Sequence, residues 1–528
     1  MSTSSAGSAP ADPAPVVRRP SWWKAVLGGL VAALVALALA ELVAGLNRTW
    51  RSPVLDVGDR VIDAAPPFLK EFAIDTFGTN DKPALLIGIG VMLAIYSAVV
   101  GFIALRRTFV VGVVGIALFG AVGAWAAISR RSGAPWHVVV PSVLGAAAGV
   151  GALWLVHRST TTPRDSAAHT PGRRAFLARS GTVLGGLAAG AVIAGGIGRW
   201  LGSRFSAAAS RSGVALPAAP DPLPALPAGV QIDVPGMTPF VTPNADFYRI
   251  DTALTAPQVP TAGYTLRITG MVDNELQLSY DDLLGRELIE RDITLTCVSN
   301  EIGGRLVGNA RWLGTLLAPL LEEAGVQEGA DQIVGRSFDG FECGFPTAVA
   351  LDGRDAMVVF GMNGEPLPIE HGFPVRLVVP GLYGYVSATK WLTEIELTTF
   401  AEFDHYWLRR GWAQEAPIKL MSRIDTPRGL AKVPAGLVAI AGVAWEQRVG
   451  IAGVEVMVDD GGWQPAELGE VTTDDTWRQW LYRWDATPGR HTIAVRAIDS
   501  DGAIQTDERA EPIPDGASGH HRIVVTVE

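Results

Sequence analysis

The chain has 528 residues, 48% of them hydrophobic and 18% charged, with a formal net charge of −10 at pH 7. That length supports several domains, the apolar share points to membrane segments, and the acidic balance argues against nucleic acid as a partner. Two cysteines, Cys297 and Cys343, are too few for a disulfide scaffold.

Residues 1–20 are rich in Ser, Ala and Pro and are expected to form a disordered cytoplasmic tail. Region 21–157 then holds four apolar stretches, at 25–46, 84–105, 109–128 and 137–156. Each has about the 20 residues that a helix needs to cross a bilayer. Trp22, Trp23, Trp125, Trp136 and Trp154 lie near their ends, where interfacial rings settle. Arg18, Arg19, Lys24, Arg106, Arg107, Arg158, Arg164, Arg173, Arg174 and Arg179 fall on one side of such a bundle. This bias places the N-terminus in the cytoplasm. Glu41 lies inside the first stretch, near its outer end, where it has a function or snorkels.

Region 158–201 carries a fifth, Gly/Ala-rich stretch at 181–201, preceded by Gly172-Arg173-Arg174-Ala175-Phe176-Leu177. Paired arginines, a Phe-Leu pair and a weak apolar run resemble a twin-arginine export signal. The alternative is two ordinary anchoring arginines. Five spans from a cytoplasmic start put everything after residue 201 outside. Ala207-Ala208-Ala209 leaves cleavage open, with a retained anchor favoured. Region 202–235, with Pro217, Pro220, Pro222, Pro224 and Pro227, has the composition of a tether.

Region 236–402 mixes strand-like runs (265–268, 377–379) with a helical pattern at 312–324, which indicates an α+β domain. Cys297 ends a strand-like run in Thr294-Leu295-Thr296-Cys297-Val298-Ser299-Asn300. Downstream come Met362-Asn363-Gly364-Glu365-Pro366 leading to Glu370-His371-Gly372-Phe373-Pro374-Val375-Arg376, then Val379-Pro380-Gly381-Leu382-Tyr383-Gly384, then Lys390-Trp391-Leu392. This arrangement resembles the molybdenum-pterin domain of the sulfite oxidase family. The resemblance implies that Cys297 gives its sulfur to molybdenum, and a soft thiolate suits a redox metal. It implies pterin contacts from Asn244, Phe247 and Tyr248, a central clamp of His371 and Arg376, and further contacts from Ala388, Thr389, Lys390 and Ser337. Backbone amides, Arg and Lys hold phosphate and polar ring edges. On the residues alone, Arg376 also fits a strand salt bridge, His371 a core histidine and Cys297 a buried structural thiol. A Cys297–Cys343 disulfide would remove the metal ligand. The twin-arginine route carries folded proteins, which agrees with a cofactor inserted before export.

The sequence departs from sulfite oxidases after the cysteine. Where they carry an arginine pair, this chain has Asn300-Glu301-Ile302-Gly303-Gly304. A glutamate beside an anionic substrate is repulsive, which favours neutral sulfoxides or N-oxides over sulfite. Arg311 is expected to pack near the site. Cys343 either faces the substrate pocket or is inert.

Region 403–528 shows short strand-like runs at 438–445, 454–458 and 491–497, separated by Asp-Gly turns, which indicates an immunoglobulin-like sandwich. Gly442-Val443-Ala444-Trp445, Gly461-Gly462-Trp463 and Trp477-Arg478-Gln479-Trp480 resemble the family's dimerisation domain, which implies a homodimer through this region. There is no Cys-x-x-Cys-His and no iron–sulfur cysteine set, so neither haem nor an iron–sulfur cluster is expected in this chain. His137 and His157 would sit at opposite ends of one helix, about 30 Å apart. Electrons are therefore expected to pass to an external carrier, a cytochrome or a quinone-linked protein. The sum is a multi-domain protein. A five-span α-helical membrane region carries an extracytoplasmic molybdenum-cofactor domain, which transfers an oxygen atom to or from a small-molecule substrate. The rival is a cofactor-free, membrane-tethered binding or assembly protein.

Overall fold

The computed structural model describes residues 19–47, 49–66, 69, 72, 76–77, 81–129, 135–160 and 173–528. Most of the expected N-terminal tail, Arg164 and Gly172 lie outside them. The chain divides into two compact units after Phe205.

The first unit is helical. Five of its helices are long and apolar enough to cross a membrane. They are α1 (Trp22–Ala44), α3 (Asp81–Arg106), α4 (Phe109–Ile128), α5 (Val140–Thr160) and α6 (Arg173–Ser203), with a shorter α2 (Pro53–Ala64) after the first. α1 packs against α3, α5 and α6. It does so on small residues: a Cβ at Gly29 would sit 2.1 Å from the Ser97 carbonyl, and one at Gly101 2.4 Å from Gly29 Cα. Backbones approach this closely in helix bundles only where side chains are absent. His137 is not part of α5. It lies in a short 3₁₀ turn (Trp136–Val139), where its Nδ1 accepts the Trp50 indole N–H at 3.0 Å.

The second unit opens with α7 (Ala207–Ser212) and an extended segment, then alternates strands with short helices. Its strands are β1 (Thr265–Gly270), β2 (Leu276–Ser279), β3 (Ile289–Thr296), β4 (Val307–Leu316), β5 (Gln332–Ser337), β6 (Glu342–Pro346), β7 (Met357–Met362), β8 (Glu365–Pro366), β9 (Arg376–Val378) and β10 (Leu392–Thr398). One sheet runs β2-β1-β10-β5-β6. The other runs β3-β4-β7-β8, with β9 beside β7. β3 is buried on both faces from Asp292 to Thr296, because a further domain covers it.

That domain is a two-sheet sandwich. Its strands are β11 (Met421–Thr426), β12 (Lys432–Val433), β13 (Gly436–Trp445), β14 (Ile451–Val458), β15 (Gln464–Pro465), β16 (Glu467–Leu468), β17 (Arg478–Ala486), β18 (Gly489–Asp499) and β19 (His521–Val527). The sheets are β11-β13-β17-β16 and β12-β19-β18-β14-β15. Ile440, Val454, Trp480, Val495 and Val525 fill the space between them. Its loops brace β3: the Trp477 N–H donates to Thr294 Oγ1 at 2.8 Å, and Gln447 Nε2 to the Thr294 carbonyl at 2.9 Å.

Two boundaries differ from the sequence-based expectation. The sandwich starts at Met421, not at 403; Trp407, Trp412, Ala416 and Ile418 pack into the first domain's core instead. The expected tether is, from Ser206 onward, a strap laid on the first domain of this unit. Ala207 is fully buried and its N–H donates to Gln258 Oε1. The Leu223 N–H donates to Glu290. Val230 is fully buried in the core, and the Ile232 N–H donates to Gln479. Prolines fix an extended backbone and lack donors, which suits a strand-like strap as well as a linker. Composition alone does not separate the two.

Candidate active site

Cys297 leaves the buried end of β3 and starts a tight turn. Its N–H donates to the Leu306 carbonyl at 2.9 Å, and Asn300 Oδ1 accepts the Leu306 N–H at 2.7 Å. Burial raises the thiol above its ordinary pKa, against hydrogen bonds from Ser299 that lower it. Both cysteines are free, so the disulfide alternative does not hold.

Cys297 opens onto a cavity of ≈ 900 Å³ of non-protein space, mouth included. Seven residues singled out in the sequence line it: Cys297, Phe247, Tyr248, His371, Arg376, Ala388 and Lys390. Gly372 brings three of them together. It has φ +113, and its missing Cβ leaves room for the Cβ atoms of Arg376 and Lys390, each 3.1 Å from where one would lie.

His371 is buried, and its Nε2 lies 3.0 Å from the Asn244 carbonyl. A carbonyl only accepts, so Nε2 carries the proton. Burial pushes this histidine down to about 4, so at neutral pH it is uncharged and Nδ1 is an acceptor. Arg376 is buried over Trp312, 5.1 Å from the ring centre, and donates to the His371 and Leu377 carbonyls. It makes no ion pair among the described residues, and burial lowers it to about 10. Lys390 is lowered to about 8 by burial, with Asp251, 2.9 Å away, acting in the opposite direction. Phe247 stacks on Tyr248 at 5.2 Å and meets His371 edge-on. Burial raises the Tyr248 phenol well above its usual range.

Three chosen residues do not line the cavity. Asn244 turns its side chain to Glu365 Oε1 (2.6 Å) and accepts from Asn363 (2.8 Å). Thr389 Oγ1 lies 2.9 Å from Cys343 Sγ, both buried. Ser337 is buried with its hydroxyl unpartnered. Each stands behind the wall that the sequence placed it in. Cys343 is also off the cavity, and burial pushes its thiol up to about 12. Arg311 is not near the site: it clamps Asp292 through two hydrogen bonds and holds the strap carbonyls of Leu223 and Pro224. Glu301 is exposed and off the cavity. The turn at Gly303 (φ +75) carries its loop toward His521 of the sandwich instead. Contrary to the expectation from sequence, Glu301 therefore does not stand beside a substrate in this cavity.

The outer cavity is aromatic, which the sequence reading missed. Phe341, Tyr385, Trp407 and Trp412 line it, with Asp339. Tyr385 and Trp412 lie 5.6 Å apart between ring centres, and Trp407 meets Trp412 nearly perpendicularly at 6.1 Å. The Tyr-Trp run at 406–407 and Trp412 were the available signal, hidden by the domain boundary drawn at 403. Behind Tyr385 lies His405, fully buried, with both ring nitrogens unpartnered. Burial holds His405 and His521 each at about 4, against about 6.5 in an unfolded chain. Between those values the unfolded chain binds more protons, so stability falls as pH drops from about 6.5 to about 4. His405→Phe removes one of three histidines held there, the others being His521 and His371, and should flatten that part of a melting-temperature profile; an unchanged slope would show that His405 does not contribute.

The donor set suits a molybdopterin group. It offers one soft sulfur, one uncharged imidazole acceptor, and two buried cations. One of those cations, Arg376, pairs with no carboxylate among the described residues. A buried, uncompensated guanidinium is costly, and a bound anion would satisfy it.

Residues 253–407 match a family model described as the oxidoreductase molybdopterin binding domain. The human mitochondrial sulfite oxidase is 30% identical over 322 residues, covering 51% of this chain and 58% of that protein. An uncharacterized oxidoreductase, YuiH, of Bacillus subtilis (strain 168) is 32% identical over 149 residues, covering 28% of this chain and 72% of that protein. The chain thus spans little more than half the length of the sulfite oxidase. Among solved structures, the sulfane dehydrogenase SoxCD from Paracoccus pantotrophus is similar over 60% of this chain and 95% of that one, at 23% identity and a TM-score of 0.48.

Proposed function

The chain belongs to the sulfite oxidase family of molybdopterin-dependent oxidoreductases, and from that premise we propose a membrane-anchored enzyme that exchanges an oxygen atom with a small, uncharged sulfoxide or N-oxide outside the cytoplasm. When bound, the molybdenum centre supplies a site that takes or gives two electrons as oxygen moves. Everything else falls to the protein.

Cys297 would hold the metal. Its thiol is kept protonated by burial, so a bound cation is what draws off the proton. Arg376 and Lys390 would hold the phosphate and the polar edges of the pterin, Arg376 through its planar fork. His371 would accept a pterin N–H at Nδ1, its tautomer set by the Asn244 carbonyl. Phe247 and Tyr248 wall the site and keep water from the sulfur.

The observation that carries the substrate class is the outer cavity. Among the described residues its cationic lining residues are Arg376 and Lys390, and both face the cofactor in this reading. Among them, no third cation lines it to receive a dianion. Phe341, Tyr385, Trp407 and Trp412 instead offer apolar faces, which suit methyl groups. The five apolar helices, the twin-arginine motif and the lysine/arginine bias support an extracytoplasmic catalytic domain. The two-sheet sandwich supports an immunoglobulin-like dimerisation module. An oxidoreductase needs an electron partner, and a cytochrome or quinone-linked protein fits this placement.

The test uses full-length protein from a host that makes the cofactor. Molybdenum and pterin are expected in one-to-one ratio with the chain, with faster turnover of dimethyl sulfoxide or trimethylamine N-oxide than of sulfite. Faster sulfite turnover would overturn the substrate class. Metal-free and pterin-free protein would favour the binding-protein rival.

A further inference from the structure

The strap that precedes the catalytic domain touches the loop that carries His371. Arg211, in α7, donates to the Pro366 carbonyl at 2.7 Å and the Leu367 carbonyl at 2.8 Å, and pairs with Glu365 Oε2 at 2.8 Å. The other Glu365 oxygen accepts from Asn244 Nδ2 at 2.6 Å. Asn244 is fixed again by Asn363, which donates to its Oδ1 at 2.8 Å. The Asn244 carbonyl then receives the His371 N–H at 3.0 Å. The side chains of Arg211, Glu365 and Asn244, and then the Asn244 backbone carbonyl, thus link the strap to His371 in the cavity wall.

The remaining strap contacts keep α7 from drifting. Ser210 and Thr261 hydroxyls lie 2.9 Å apart, and Ala207 is wholly buried. The strap begins three residues after α6 ends at Ser203, so the sequence joins the last apolar helix directly to this network.

Resting on the functional reading above, we infer that Arg211 is a positioning residue for the cofactor. It acts through Glu365 and Asn244 to set the tautomer and position of His371, so the juxtamembrane strap is part of the cofactor clamp. A carbonyl that orients a ligand-facing imidazole is itself only as fixed as its own partners, and changes to such partners commonly cost roughly 10–100-fold in affinity. Asn244 gains a role here different from the direct contact expected from the sequence. Ala207-Ala208-Ala209 lies in α7, just before Arg211, so cleavage there would leave Arg211 on the catalytic domain but remove the buried Ala207 that anchors its helix.

The experiment compares full-length, cofactor-loaded protein with Arg211→Gln, Glu365→Gln, the double variant and Arg211→Lys. Arg286→Gln is the control, since Arg286 pairs with Glu323 at similar exposure elsewhere on the domain. The readouts are pterin release below the unfolding transition and the circular dichroism of the bound cofactor. Arg211→Gln and Glu365→Gln should each speed release roughly tenfold and alter the cofactor spectrum. The double variant should match the singles, because both break one link. Arg211→Lys should fall between, keeping the charge but losing the fork onto two carbonyls. Arg286→Gln should behave as the parent. Faster proteolysis within 206–235 with unchanged release and spectrum would make the strap a mere anchor and overturn the inference alone. A parent protein lacking pterin would sink the functional reading and this inference with it.

Discussion

Cys297→Ser is expected to lose molybdenum turnover almost completely, by more than the roughly 100-fold that changes to outer-lying partners of a metal site cost, while keeping much of its pterin. Serine is nearly the same size, so packing at the end of β3 survives. What changes is the donor. A hydroxyl is a harder ligand and releases its proton far less readily than a thiol. Arg376, Lys390 and His371 come from other segments of the chain, the first in β9 and the others in the loops before and after it, so their grip on the pterin does not depend on the sulfur. The measurement is metal and pterin content side by side, with the visible spectrum of the loaded protein. Cys343→Ser is the control: its sulfur meets Thr389 away from the cavity, and the hydroxyl can keep that contact. A Cys297→Ser protein with unaltered spectrum and turnover would remove Cys297 from the metal and reopen its reading as a buried structural thiol.

The long apolar helices are legible because bilayer thickness would impose a run length that few other structures need. The observed ends moved by a few residues, except at α6, which starts eight residues earlier than its apolar stretch. A lone thiol, an X-His-Gly turn and a Lys-Trp pair, unusual in one domain, draw attention to Cys297, His371, Arg376 and Lys390, and the fold brings these four to one cavity. Asn244, Thr389 and Ser337 were placed on the cavity, but they stand one layer behind it. A motif records that residues are needed together, not which of them faces inward. The reverse error concerns Glu301. Four residues from Cys297 in sequence, it was taken to act beside it, yet the left-handed turn at Gly303 takes that loop to His521 of the sandwich. Trp407 and Trp412 were missed because they follow the last strand of the first domain and were counted with the second. They belong to the first by packing, a long-range fact with no local signature.

Arg376→Met should separate stability from function. The guanidinium is buried, its partners are two carbonyls, and no carboxylate is paired with it among the described residues. Burial costs enough to lower its pKa to about 10. In cofactor-free protein that is a net penalty, since backbone carbonyls repay only part of the lost hydration. Methionine has similar reach and no charge, and packs on Trp312 with an unbranched chain. Cofactor-free Arg376→Met should therefore melt higher than the cofactor-free parent, by roughly 2–4 °C for each kcal/mol recovered. The loaded protein should show the opposite. Without the fork that would hold the pterin's anionic and polar edges, retention falls, and with it the extra stability that a bound ligand confers. Melting curves of parent and variant, each with and without cofactor, give four values, and the sign of the change must reverse between the two states. A variant less stable in both would mean that Arg376 supports the fold through its carbonyl contacts, and that its missing carboxylate partner has no bearing on binding. A reversal would identify the unpaired charge at β9 as stability given up for binding, at a position where the sequence alone also admitted a strand salt bridge.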